Sequence, residues 1–191
     1  MGNRPSEESE SGLEFINVGS TLTAAQRKII LKFWHDWKIE NPEIFANAWY
    51  KSVTEDQLLR TTFGLPADRD FRWEPKFLRQ TKNVADFFDQ LVLELQAKPR
   101  QIQLRSFQLG IQHSRYLEKG MLNMASWSVM GGNLVSAVDH SNVEFAADKK
   151  QELSAALHGF MELVVECMIQ GCVRKQTTTV FLPSVRSISD D

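Results

Sequence analysis

The chain has 191 residues, a hydrophobic content of 42%, a charged content of 24% and a net charge of −2. This length suffices for one domain with a full hydrophobic core, and the slightly acidic balance argues against nucleic-acid binding, which needs a basic surplus. No apolar run reaches the length of about 18 residues that spans a membrane. The N-terminus also lacks the basic-then-apolar pattern of a secretion signal, so we expect a cytoplasmic protein.

Residues 1–20 are rich in Ser, Glu and Gly, and we expect them to form a disordered extension. Met1-Gly2 followed by Ser6 fits the N-myristoylation motif, with Gly2 as the acylated residue; the alternative is a chance Met-Gly start. One acyl chain gives only marginal attachment, and the Glu-rich extension would be repelled by anionic lipid. The sequence therefore predicts reversible contact with the inner face of the plasma membrane.

Folding is predicted to begin at Thr23, because Thr23 and Gln26 have the spacing of a capping box. Ile30, Trp34 and Trp37 then recur at helical spacing. Asn41 is expected to cap a second helix that has Pro42 as its first residue. Residues 64–75 contain two prolines and scattered charges, which indicates a loop.

Four further helices are predicted downstream, over about 75–96, 101–116, 123–138 and 143–173. Gly131 and Gly132 are expected to weaken the third of these. No alternating strand pattern of any length appears. The sequence thus predicts an all-α domain of six to eight helices over residues 21–175, followed by a flexible C-terminal tail over 176–191.

Gln80 lies inside the apolar face of the helix that starts at Pro75. A buried amide without a partner costs on the order of 1–3 kcal/mol, so this side chain should have something to bond. By itself such a residue is usually a hydrogen-bonded interior amide.

His113 lies on a helix with two opposite apolar sides, which suggests protein on one side and another group on the other. Gly110 is expected to let a bulky group approach closely. A neutral imidazole is a good iron ligand when its second nitrogen donates a hydrogen bond that fixes the ring, and the carbonyl of Leu109 is the natural acceptor. A lone histidine is more often structural, but His113 and Gln80 together suggest two walls of a slot for a flat cofactor.

The other histidines and the two cysteines are expected to have ordinary roles. His35, His140 and His158 are interpreted as structural or solvent-facing. Cys167 and Cys172 point about 140° apart on a helix, so they cannot bridge each other without unwinding the backbone. We expect reduced thiols; redox pairing between chains is the alternative.

Three segments resemble the globin family in order along residues 22–175. Residues 58–65 look like the short third helix and following corner, where Phe63 would stack on haem. Residues 77–84 look like the start of the distal helix, with Gln80 at the gate and Val84 one turn deeper. Residues 109–113 are similar to the proximal motif of invertebrate and neuroglobin-like globins, which makes His113 the iron ligand and places Leu109 in the pocket.

The resemblance implies an all-α globin fold of about eight helices enclosing haem b. It implies a haem-binding protein that binds dioxygen or a similar diatomic ligand, or cycles between iron oxidation states, in sensing or redox signalling at a membrane surface. Any enzymatic activity would belong to the haem. The alternatives are a haem-less globin-fold interaction module and a simple cytosolic oxygen carrier with an unmodified N-terminus.

Gln80 departs from the histidine usual at the distal position. Glutamine can donate a hydrogen bond to bound oxygen, but it is a poor direct iron ligand, so no sixth ligand is named. Either Trp49 or Phe45 is expected to overhang the iron, and the spacing of the helices favours Trp49.

Overall fold

The structure is a computed structural model that describes residues 21–180, with side chains described for residues 21–98 and 100–174. Gly2 and the rest of the predicted extension lie outside the described residues, as do residues 181–191 of the predicted tail.

Seven α-helices and one 3-10 helix make up the described chain, without a strand. They are α1 (Ala24–Glu40), α2 (Ile44–Glu55), α3 (Gln57–Thr62), α4 (Pro75–Ala97), α5 (Pro99–Glu118), α6 (Met124–Asp139), the 3-10 helix (Glu144–Lys149) and α7 (Lys150–Val180). The predicted all-α class is confirmed. The predicted bounds of the helices at 75–96, 101–116 and 123–138 agree with α4, α5 and α6 to within two residues.

The predicted capping box at the start of α1 is confirmed. Thr23 Oγ1 accepts from the backbone N–H of Gln26 at 3.2 Å, and Gln26 Oε1 accepts from the backbone N–H of Thr23 at 2.9 Å. Each side chain therefore satisfies one backbone donor that the first turn of a helix leaves without a partner.

The predicted role of Asn41 is wrong. Asn41 ends α1, and its side-chain amide donates to the carbonyls of Trp37 and Asn142, both at 2.8 Å. Its side-chain oxygen accepts from the backbone N–H of Asn142 at 2.7 Å. The side chain of Asn41 is thus engaged away from α2, which begins at Ile44 rather than Pro42 and has no side-chain cap hydrogen bond.

The predicted start of the last helix is also wrong. A 3-10 helix occupies residues 144–149, and Ala147 has a φ of 44°. This left-handed backbone interrupts an α-helix, so α7 begins only at Lys150. The helix continues to Val180, past the predicted domain boundary at residue 175.

Two glycines allow α5 and α7 to pack backbone against backbone. A Cβ on Gly110 would overlap the carbonyl oxygen of Met168, and one on Gly171 would overlap that of Phe107. Across the same contact, the Cys172 thiol donates to the carbonyl of Gly110 at 3.1 Å. The expectation that Gly110 makes room for a bulky ligand is therefore wrong, because α7 occupies that space.

α6 runs without a break through Gly131 and Gly132, and the expected weakening of this helix by the two glycines stays a prediction. A Cβ on Gly131 would lie 2.5 Å from Cγ1 of Val165 on α7, whereas a Cβ on Gly132 would meet open space. Gly131 therefore serves the close approach of α6 to α7.

The core is built around α7, whose Leu157, Phe160, Met161 and Val164 are fully buried. Phe160 contacts Trp34 of α1 and Phe88 of α4 through edge-to-face ring pairs. Residues 144–174 are long and apolar enough to cross a membrane by composition, but half of the apolar window is buried inside the protein. A core helix has this same composition.

Candidate cofactor cavity

A cavity of about 440 Å³ lies between the helices and is lined by residues of α2 and of α4 to α7 and by the α3–α4 corner. All five residues predicted to contact a cofactor line it: Phe63, Gln80, Val84, Leu109 and His113. The structure thus brings together side chains from three separate segments of the chain. Aliphatic and aromatic groups form most of the remaining wall.

His113 contributes an imidazole whose orientation is fixed by its own helix. Nδ1 lies 2.8 Å from the carbonyl oxygen of Leu109, one turn back, which confirms the predicted hydrogen bond. A carbonyl can only accept, so Nδ1 carries the proton, and in a neutral ring Nε2 then holds the free lone pair. Within the described residues no protein group bonds Nε2.

The surroundings of His113 favour this neutral form. Burial lowers the pKa of His113 below its ordinary value of 6.5; the hydrogen bond to Leu109 opposes this, and the charge of Arg115 adds to the lowering. The imidazole is therefore uncharged at neutral pH and able to donate its Nε2 lone pair to a metal.

Two aromatic rings pack against the imidazole of His113. The Trp127 ring lies edge-on to it at a centroid distance of 5.4 Å and an angle of 86°, and the Tyr116 ring lies at 5.7 Å. Sequence reasoning missed Trp127. The available signal was Asn123, which caps α6 by accepting from the backbone N–H of Ser126 and so places Trp127 in the first turn after the α5–α6 corner.

Gln80 lies one and a half turns into α4 and is half-buried at the cavity wall. The expected protein partner for its amide is not found among residues whose side chains are described. Its N–H groups are therefore available to a group bound in the cavity. Val84 lies one turn further along the same face.

Phe63 and Trp49 form an edge-to-face pair at a centroid distance of 4.8 Å. Phe63 ends α3, and the following Gly64 turns the chain with a φ of 60°. Phe45 also lines the cavity and stacks on Phe88 at 5.3 Å. Both candidates for the residue above the cofactor thus reach the cavity, and the choice of Trp49 stays a prediction.

The indole nitrogens of Trp49 and Trp127 are buried and find no acceptor within the described part of the chain. Both rings line the cavity. A buried donor without an acceptor costs on the order of 1–3 kcal/mol, so a cavity occupant with acceptor atoms would relieve it.

The remaining histidines lie away from the cavity. His35 is exposed, and His140 is exposed with Nδ1 donating to the Ser136 carbonyl at 2.7 Å. His158 lies between the carboxylates of Asp139 and Glu162, at 2.7 and 3.1 Å.

Neither cysteine takes part in the site. Cys167 and Cys172 are fully buried and unbridged, and burial raises the pKa of each thiol to about 12. This supports the expected reduced, unreactive thiols over redox pairing between chains, because the thiolate is the reactive form.

Among residues 21–174, no group of three or more His, Cys, Asp and Glu side chains is arranged to hold a metal ion directly. A single imidazole facing a cavity is a different arrangement, because a planar cofactor that carries its own metal needs only one protein ligand. No model of a known protein family matches the chain, and no curated protein matches it either.

Proposed function

We propose that the cavity binds haem b, whose iron Nε2 of His113 would hold, in a globin-type arrangement of the helices. The observation that carries this proposal is the neutral imidazole at the wall of an apolar cavity. Its Nδ1–H donates a hydrogen bond to the Leu109 carbonyl at 2.8 Å, so Nε2 keeps its free lone pair. Metal-bound histidines characteristically have this second hydrogen bond.

The residues of the cavity fit such a cofactor. Its volume of about 440 Å³ lies in the range of about 300–1,000 Å³ that is usual for small-molecule and cofactor sites. Phe63, Val84 and Leu109 supply apolar contacts for a macrocycle. The two buried indole donors, of Trp49 and Trp127, would gain acceptors from an occupant.

When bound, haem supplies reversible binding of dioxygen or a related diatomic ligand and a one-electron redox couple. The protein contributes orientation, an apolar environment and one polar group. Gln80 is the polar group, because its amide can donate to a ligand in the cavity and has no competing partner among the described side chains. We propose a binding and signalling protein rather than an enzyme.

The open cavity supports haem binding over the haem-less alternative. A globin-fold module without cofactor would fill the slot with side chains, since an empty apolar cavity forfeits packing energy. The aromatic side chains of Trp49, Phe63 and Trp127 instead border the space.

The membrane location depends on Gly2, which lies outside the described residues, and it stays part of the proposal. The mass of the intact protein from a eukaryotic host distinguishes the acylated form from the simple cytosolic oxygen carrier. An added myristoyl group supports the tethered form.

The test of the haem proposal is a hemin titration followed by the visible absorbance. We expect the wild type to bind one hemin per chain with a sharp Soret band. His113→Ala should remove that band, because it removes the metal ligand. His140→Ala is the matched control, since His140 bonds the carbonyl one turn back in the same way but is exposed. Equal Soret bands in His113→Ala and the wild type would contradict the assignment of His113 as the iron ligand.

A further inference from the structure

The most exposed large apolar side chain in the described residues is Trp73, of which 82% is accessible. It is the second residue before α4, and Leu78 in the first turns of that helix is 48% exposed. These are the two positions that pack against each other in a hydrophobic staple. Trp73 is too exposed for the staple to account for it.

Other exposed apolar side chains do not form such a pair. Leu31 and Ile39 lie on α1, Val173 lies on α7, and Leu93 lies about four turns beyond Leu78 on α4. Single exposed apolar residues are ordinary on a protein surface. Trp73 and Leu78 stand out because both are exposed near the same end of one helix.

Basic side chains outnumber the two acidic ones, Asp70 and Glu74, around this pair, although the whole chain carries a net charge of −2. Residues 69–82 contain five basic side chains: Arg69, Arg72, Lys76, Arg79 and Lys82. Two of these are in ion pairs, Arg69 with Glu74 and Lys82 with Asp86.

The other three basic residues have no ion pair within residues 21–174. The Arg72 guanidinium lies over the ring of Tyr50 at 4.0 Å, and Lys76 and Arg79 are exposed on the first two turns of α4. We call the five residues Arg72, Trp73, Lys76, Leu78 and Arg79 the α4 patch. It combines an exposed indole, an aliphatic side chain and three cations.

We propose that the α4 patch binds the surface of an anionic lipid bilayer. Tryptophan is enriched where protein meets the membrane–water interface, because its ring is apolar and its N–H is polar. Lysine and arginine near an anionic leaflet are attracted to its lipids, with an effect of about fivefold in affinity for each residue. The charge and composition of the patch match this surface.

The patch supplies a contact that the N-terminus lacks. One acyl chain on Gly2 would attach the protein only marginally, and residues 1–20 carry Arg4 against four glutamates. A basic and aromatic patch on the folded domain would provide the second signal. The inference goes beyond the proposed function, since it requires neither haem nor acylation of Gly2.

Vesicle co-sedimentation of the full chain, made in bacteria so that Gly2 stays unacylated, tests this inference. We expect binding to vesicles of equal parts phosphatidylserine and phosphatidylcholine, and none to vesicles of phosphatidylcholine alone. Trp73→Ala should weaken binding severalfold, and the double change Lys76→Gln with Arg79→Gln should weaken it about tenfold or more. All three side chains are exposed, so the variants should fold.

Matched controls remove the same groups elsewhere. Leu93→Ala removes an exposed apolar side chain, and Lys28→Gln with Lys98→Gln removes two exposed cations. Both should bind like the wild type. Equal binding to the two kinds of vesicle, or equal losses in the controls and the patch variants, would overturn the inference. So would dimerisation in light scattering that Trp73→Ala abolishes, because the patch would then bind a second copy of the chain.

Discussion

His113 and His140 each donate a hydrogen bond to the backbone carbonyl one helical turn back. The two side chains differ in their surroundings. His113 is half-buried beside Trp127, and burial lowers its pKa below 6.5. His140 is exposed at the end of α6. The local hydrogen bond selects the tautomer, but the cavity around His113 keeps that ring neutral and gives its Nε2 space to bind a cofactor.

His158 titrates in the opposite direction. The hydrogen bond from its ring to Asp139 is the main cause that raises its pKa above 6.5. Burial, the next largest cause, lowers the pKa, and the charges of Asp139 and Glu162 raise it further. A raised folded pKa stabilises the protein fully below pH 6.5, and that stability is lost as pH rises through the folded pKa.

Replacing this histidine should therefore change how stability depends on pH. We expect His158→Gln to lower the free energy of unfolding relative to the wild type at about pH 6, and to lower it less at about pH 9. The effect should be at most about 1 kcal/mol, because the side chain is 38% exposed and solvent screens surface ion pairs. Urea unfolding at both pH values measures it.

Below pH 6.5, His113 changes the free energy of unfolding with pH in the opposite direction. Its folded pKa is lowered, so the unfolded chain takes up the proton first and stability falls as pH falls. This contribution is common to the wild type and His158→Gln, so their difference isolates His158. A difference in stability that does not change with pH would contradict the role assigned to its two carboxylate partners.

Among the helices, the pair α5 and α7 is the most tightly constrained. Gly110 faces the α7 backbone at Met168, and Gly171 faces the α5 backbone at Phe107. Since α5 also carries His113, this contact sets how the imidazole is presented to the cavity. A change in the α5–α7 spacing would displace the proposed metal ligand.

Gly110→Ala should destabilise the protein by at least about 1–3 kcal/mol, the usual cost of overpacking a core. Gly132→Ala is the matched control, because its Cβ would meet open space on α6 and alanine favours a helix over glycine by up to about 1 kcal/mol. Urea unfolding of both variants measures the difference. A Gly110→Ala protein as stable as the wild type would show that α5 and α7 do not pack this closely.

Where a helix starts at a signal in the adjacent sequence, the sequence predicted that helix. Pro75 and Asn123 mark the starts of α4 and α6, and the capping box at Thr23 marks α1. The start of α2 could not be predicted in this way, because the side chain of Asn41 bonds residue Asn142 from a distant part of the chain. The positive φ of Ala147 could not be predicted either, because alanine does not favour this backbone conformation.

The cavity was predictable only in part. Helical periodicity identified His113 and Gln80 only as single polar residues on apolar helix faces. The family resemblance added Phe63 and Val84 as predicted cofactor contacts. The contribution of Trp127 depends on how α6 packs against α2 and α7, which a sequence pattern does not contain. The role of Gly110 was mistaken for the same reason, since helix spacing cannot say which neighbour uses the space beside a glycine.

At the scale of the whole molecule, a chain with a full core around α7 still leaves about 440 Å³ open between its helices. Protein interiors are otherwise packed as densely as organic crystals. A ligand that binds only the folded state stabilises it, by about 2.7 kcal/mol at a free concentration one hundred times its dissociation constant. Binding of the proposed cofactor in this cavity would therefore stabilise the native state.

The most direct measurement of this account is rescue of the metal ligand by free imidazole. His113→Gly removes the ligand and leaves space at the α5 wall, so hemin should no longer co-elute with the protein on a desalting column. Adding imidazole should restore co-elution at one hemin per chain, because imidazole can occupy the place of the missing ring. Co-elution of hemin with His113→Gly in the absence of imidazole, or failure of the wild type to bind hemin, would contradict the central claim.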